Sequence, residues 1–135
     1  MTHPIAALQN ALVTALKADA TLDGLIAGGI YDAPPKGAAR PYVVVARHDL
    51  VPRDGDAAPG NDHRVLLHAW HPDPSRKAVL AIVERLVAVA LGGTLAPPGL
   101  AVTNVSHERT DTAIDLETGA ARAAVTLRFY TEPSA

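Results

Sequence analysis

Cysteine is absent from this 135-residue chain, which removes disulfide frameworks, thiolate metal sites and cysteine nucleophiles together. Aromatic side chains are scarce, with one Trp, three Tyr and one Phe, so a core has to be built from Ala, Val, Leu and Ile. Neither sign of charge dominates: 12 Lys and Arg stand against 14 Asp and Glu, a net charge of −2. That is too little positive charge to drive affinity for nucleic acid by phosphate neutralisation. No apolar run approaches the roughly 20 residues of a membrane-spanning helix. The N-terminus lacks the basic stretch, apolar run and cleavage site of a signal peptide, so a soluble, cytoplasmically made protein is expected. A chain of this length makes one ordinary domain, able to bury roughly two-thirds of its unfolded surface without metal or disulfide. We expect a single domain over residues 1–135, with no repeat or internal linker.

Proline and glycine punctuate what is present. Pro4 after Thr2-His3 reads as a helix start, because proline at the first helical position loses no hydrogen bond. Ile5, Leu8, Leu12 and Leu16, with Ala11 and Ala15 between them, form a stripe at helical spacing. A second short turn is predicted from Thr21 as N-cap to Gly28-Gly29. A proline-rich connector follows, in which Pro34, Pro35 and Pro41 impose an extended path up to a β-branched strand, Tyr42 to about His48. Leu50 to Asp62 reads as a long polar loop of the length that functional or mobile loops have.

His63 to His71 alternates as a strand does, with Val65, Leu67 and Ala69 on one face and Arg64, Leu66, His68 and Trp70 on the other. Asp73-Pro74 is the expected start of the strongest helix, whose core stripe is Val79, Ile82, Val83, Leu86 and Ala90. Leu80, Val87 and Leu91 add a second apolar strip, which either the domain or another subunit must cover. Gly92-Gly93 ends that helix, and Pro97-Pro98-Gly99 turns the chain into a strand from Leu100 to about Arg109. Val102 and Val105 cannot share a face of a regular strand, so a bulge is expected there. After a connector over Asp111–Ala120, with a turn at Glu117-Thr118-Gly119, comes a final strand. It runs from Ala121 to Thr131 with Ala123, Val125, Leu127 and Phe129 on one face. The predicted fold is therefore α+β: a mainly antiparallel sheet of about four strands with two main helices packed on one face. The opposite face would carry Arg64, His68, Trp70, Arg122, Arg128 and Tyr130, the Arg and aromatic composition of an interface rather than of bare surface.

Chemistry is hard to find in this sequence. His63 and His71 share one strand face while His68 points the other way, and no His-Glu-x-x-His pattern accompanies them, so no metal site is expected. Both glycine pairs follow helices, where they cap rather than cradle phosphate. Ser106, His107 and Glu108 are consecutive on a strand and cannot form a triad among themselves. Asp54 with Asp56, and Asp111 with Asp115, lie in predicted loops without an apolar pocket to perturb them. No enzyme activity and no cofactor is expected.

Three ordered features resemble one family of short tail proteins of long-tailed phages and related particles. They are the helix-rich start (Ile5 to Ala20) running into Leu25-Ile26-Ala27-Gly28-Gly29-Ile30-Tyr31-Asp32-Ala33-Pro34-Pro35, then Arg40-Pro41-Tyr42-Val43-Val44, then His63-Arg64-Val65-Leu66-Leu67-His68-Ala69-Trp70 before a helix and a closing strand pair. The resemblance, to the tail terminator or tail completion family, spans about Ile5 to Glu132. The alanine-rich character is similar to that of members from prophages and gene transfer agents. The resemblance implies a ring, hexameric, at the head-proximal end of a tail tube. Such a ring stops tube polymerisation, meets a head-side connector or stopper protein, and lets DNA pass through its lumen without specific binding; no membrane is involved.

A ring subunit needs two different surfaces, since each protomer's patch meets another patch on its neighbour. The candidate surface residues are Arg53, Asp54, Asp56, Arg64, His68, Trp70, Arg122, Arg128 and Tyr130, with the Leu50–Asp62 loop expected to reach a neighbour or the tube. Two other readings compete. One is a neck or minor tail component of the same particle. The other is a ligand-binding or hydrolytic α+β domain using His68, His71 and Glu108.

Overall fold

Pro4 does open the first helix, α1 (Pro4–Ala18), with His3 as N-cap accepting the Ile5 N–H at 3.1 Å. The computed structural model describes residues 2–53 and 59–134. α1 buries the three leucines of the predicted stripe, Leu8, Leu12 and Leu16, and Ala7 besides, while Ile5, Ala11 and Ala15 are half-buried. A second helix, α2 (Ala20–Ile26), follows at once. Its cap is Asp19 and not Thr21: the Asp19 carboxylate accepts the Leu22 N–H at 2.9 Å, and an ionised oxygen is the stronger acceptor for an orphan helix donor. α2 ends with Ala27 at φ 50° and Gly28 at φ +73°, two successive left-handed residues that reverse the chain.

The connector then contributes a strand of its own. β1 (Ile30–Tyr31) lies parallel to the start of β2 (Tyr42–Pro52), with Ile30 opposite Val43. Edge-to-face packing of Tyr31 on Tyr42, centroids 5.9 Å apart, holds the two ends of the proline connector together. The sheet is therefore five-stranded and mixed, not four-stranded, because two residues before the prolines find free backbone partners on the edge of β2.

β2 and β3 (Asn61–His71) form a hairpin whose ladder runs out to Pro52 opposite Asn61, and Arg53 and Gly60 add two further backbone bonds beyond it. The polar loop expected over 50–62 is thus shorter, because backbone pairing tolerates polar side chains. The third helix, α3 (Arg76–Leu91), begins later than Asp73-Pro74 suggested. Ser75 caps it by accepting the Ala78 N–H at 3.1 Å. β4 (Leu100–Ile114) and β5 (Ala121–Pro133) make the second hairpin, with β4 continuing past Arg109 into the expected connector. Register shifts between Val102 and Asn104, and between His107 and Arg109, supply the bulge the valine spacing required and one more. With the first of them, Val102 pairs with Thr131 and Val105 with Phe129, on one face.

The strand order is β1-β2-β3-β5-β4. β5 inserts between β3 and β4, so the β3–α3–β4 crossover skips one strand. Helices cover a single sheet face. Leu8, Leu12 and Leu16 of α1, Leu22 and Ile26 of α2, and Val79, Ile82, Val83 and Leu86 of α3 share one core with Val43, Val65, Leu67, Val125, Leu127 and Phe129. The second strip of α3 is covered only in part: Val87 packs against the core, while Leu80 and Leu91 stay exposed at 39% and 47%.

Candidate assembly interface

The sheet face away from the helices is open, and strand alternation decides what stands on it. Arg64, His68 and Trp70 of β3 and Arg122, Arg128 and Tyr130 of β5 all project there, since their neighbours Val65, Leu67, Ala69, Ala123, Val125, Leu127 and Phe129 are buried beneath the helices. Arg53 stands just past the end of β2. Asp54 and Asp56 lie outside the described residues.

Almost every arginine on this face has an acid of the same chain. Arg64 Nε donates to Glu108 at 2.9 Å. Arg47 pairs with Asp49 at 2.8 Å, and Asp111 lies between Arg109 at 3.4 Å and Arg122 at 3.6 Å. These exposed pairs are worth little each to stability, about 0–1 kcal/mol. Their consequence is local: the face is laced with alternating charge, not a patch of one sign. Arg40 lies over the Trp70 ring, 5.1 Å from its centroid, so the single tryptophan is half-buried under a cation.

One pair differs. Asp62 is on the same face, yet its side chain is 1% exposed. Arg128 donates to it through Nε at 2.9 Å and through a terminal amine at 2.6 Å, and Arg53 stands 3.4 Å away. The hydrogen bonds from Arg128 hold the Asp62 carboxyl below the ordinary carboxylate range, against the opposing effect of burial. Tyr130 closes this cluster from beside Gly60. A Cβ at position 60 would run into the tyrosine hydroxyl, so glycine is required for the ring to lie there. Sequence alone puts Asp62 at the end of a loop; its role depends on the β3–β5 register, which no local pattern announces.

Apart from one contacting pair, His48 and His63, the histidines named above fall into separate places. His63 is fully buried on the helix side, 2.8 Å from His48 and 3.0 Å from the Thr131 hydroxyl. Burial, then the charge of His63, pushes His48 down to about 4. His68 is half-buried on the open face and lowered by desolvation and then by Arg122. His71 accepts the Asp73 N–H at 3.1 Å, and Glu108 is occupied by Arg64. His68, His71 and Glu108, the residues of the hydrolytic reading, therefore form no common site. Among the described residues, no group of three or more His, Asp or Glu stands where it could hold a metal ion. No helix among them is long and apolar enough to cross a membrane.

Comparison with known proteins agrees with this architecture. The sequence model of the family described as Tail completion protein gp17 matches residues 10–132. A chain from the virion of a native gene transfer agent particle superposes with a TM-score of 0.86 at 22% identity, covering 97% of this chain and 99% of that one. The gp17 protein of bacteriophage SPP1 superposes with a TM-score of 0.63 at 20% identity, covering 92% of this chain and 88% of that one. No curated protein matches.

Proposed function

Because this chain belongs to the Tail completion protein gp17 family, and is with it a structural protein of phage-like tails, we propose that it acts as the tail terminator. In this reading copies of the chain form a ring, a hexamer, on the head-proximal end of the tail tube. The ring ends tube polymerisation and offers its other side to a head-side connector. The observation that carries the reading is the family match over 10–132, which spans every element of the fold from the middle of α1 to the end of β5. The gene transfer agent virion chain supports the fold through nearly its whole length.

The physical features are consistent with such a role. The sheet has one covered and one open face, and the open face carries arginines, Trp70 and Tyr130 at positions where a neighbour can reach them. A net charge of −2 suits a lumen through which DNA must slide without being held. The role is assembly, with no catalysis.

The test is the mass of the purified chain in solution, alone and with its tube protein, together with electron microscopy of the tubes. A ring on one tube end, and tubes that stop growing when the chain is added, are the expected results. A monomer that ignores tubes at high concentration overturns the reading. Label found only at the portal side of intact particles would replace it with a neck role.

A further inference from the structure

The helical side of the molecule ends in a groove. Between α1 and the C-terminal half of α3 lies an open, mainly apolar depression of about 720 Å³, lined in part by Ala11, Ala15 and Ala18 of α1 and Ala88 and Val89 of α3. It exists because the facing residues are mostly alanines, too short to fill the space between two helix backbones. One end is bounded by Arg85, which gives Nε and one terminal amine to Asp19 at 3.1 and 2.6 Å. Among the described residues no other carboxylate pairs with that guanidinium, and its side chain is 36% exposed.

At the other end of the molecule stands the opposite shape. Leu116, in the turn between β4 and β5, is 95% exposed, far more than any other large apolar residue described. The turn that carries it is built firmly. The Asp115 carboxylate accepts the N–H of Glu117 at 2.9 Å and of Thr118 at 3.4 Å. The Asp115 carbonyl takes the Gly119 N–H at 2.7 Å, and the Asp115 N–H reaches the Ala120 carbonyl at 2.9 Å. A leucine held out on a braced turn is a preformed knob, and Glu117 beside it supplies a carboxylate.

Knob and groove belong to different ends. Arg76, at the start of α3, donates to Thr112 at 3.1 Å, which places the N-terminus of α3 next to the β4–β5 turn. Val89 stands near the other end of the helix, roughly 20 Å away at about 1.5 Å per residue. A braced turn cannot cross that span to its own groove. A second copy can.

We propose that Leu116 of one copy seats in the α1–α3 groove of the next, with Glu117 meeting the Arg85 guanidinium. Knob and hole at opposite ends of one chain make a heterologous, head-to-tail contact, the kind that closes a ring when the rotation per subunit allows it. The proposal rests on the ring reading above and names the surfaces that would build it. It leaves the open sheet face for other partners.

The absence of cysteine gives the test a silent background. The double variant Leu116→Cys, Ala88→Cys, mildly oxidised with its tube protein present, should give a ladder of multimers that a reductant collapses. A control pair of Thr126→Cys with Ala88→Cys should give none. Leu116→Glu should keep the wild-type melting temperature, since position 116 is solvated, yet weaken self-association by about 10–100-fold, the equivalent of losing one buried leucine. If the wild type forms rings while Leu116→Glu does so equally and the cysteine pair stays unlinked, the contact is wrong and the ring reading survives. Should a thiol-attached photocrosslinker on Leu116→Cys label the tube protein rather than a second copy, the proposed occupant is wrong. A wild type that never self-associates removes both proposals.

Discussion

Asp62 on β3 binds the guanidinium of Arg128 on β5 diagonally, through two hydrogen bonds of 2.9 and 2.6 Å, because the residue directly opposite Arg128 is another arginine, Arg64. Like charges paired across strands repel. The sheet resolves this by sending the two arginines to different acids, Arg128 to Asp62 and Arg64 to Glu108. Only the first of those acids is buried, at 1% exposure against 32% for Glu108.

That asymmetry makes an ordered prediction for single substitutions. Arg128→Met removes both hydrogen bonds from that guanidinium and leaves the buried Asp62 carboxylate only Arg53, 3.4 Å away, at a cost on the order of 2 kcal/mol. Asp62→Ala leaves Arg128, whose side chain is 40% exposed, free to turn to water, and should cost clearly less. Urea unfolding of both variants and of the double variant measures the difference. Equal losses for the two single variants would show that Asp62 is not truly desolvated.

Acid should weaken the fold in two stages. His48 is held neutral down to about 4 by burial and by its neighbour His63, and His63 is itself lowered by burial. Nearby Asp49 opposes this for His48 and Asp62 for His63, while His3 adds to it for both. A histidine with a lowered folded pKa binds its proton first in the unfolded chain, so stability is full above about pH 6.5 and falls as pH drops towards 4. For His48, whose ring is partly exposed, solvent screening reduces the loss to about 1–2 kcal/mol. Below that range the lowered carboxyls of Asp19, Asp62 and Asp115, whose contributions are present above their unfolded values, protonate and the decline continues. Denaturant midpoints measured from about pH 7.5 to about pH 4.5 follow the first stage, and His48→Phe should reduce it, the lowered His63 and His68 keeping the remainder.

Gly60→Ala should destabilise by about 1–3 kcal/mol through overpacking against the Tyr130 ring. Tyr130→Ala in the same chain should relieve most of that loss, so the two effects will not add. Thermal melts of the two singles and the double decide it. Additive losses would mean the ring does not confine position 60.

Residues 54–59 should matter for assembly and not for folding. Arg53 and Gly60 already exchange two backbone hydrogen bonds, so a two-residue Asn-Gly turn can replace 54–59 and close the hairpin. The expected variant melts as the wild type does but attaches poorly to tail tubes. Full attachment by that variant would show that the hairpin tip contacts neither a neighbour nor the tube.

Much of the fold was legible because it is local. The leucine stripe of α1, the alternation of β3 and β5, and the stripe of α3 each follow from a period of 3.6 or 2. The bulge was legible too, since Val102 and Val105 cannot both face inward without one. Caps were read less well, because Thr21, Asp19, Asp73 and Ser75 are all competent N-caps and tertiary packing chooses among them. β1 was missed because two residues carry no periodicity, and its partner lies across a proline connector.

The amino-acid sequence by itself determined most of the residues that face the core, that the domain is α+β, and which family it resembles. Those properties are set by local backbone geometry and by apolar side chains leaving water. Tertiary structure alone decided the order of strands, the burial of Asp62 against Arg128, the His48–His63 contact and the placing of Leu116 far from the alanine groove. Each of these depends on the register and placement of elements distant in the chain. Many pairings bury the same apolar faces equally well, so only the assembled packing selects one.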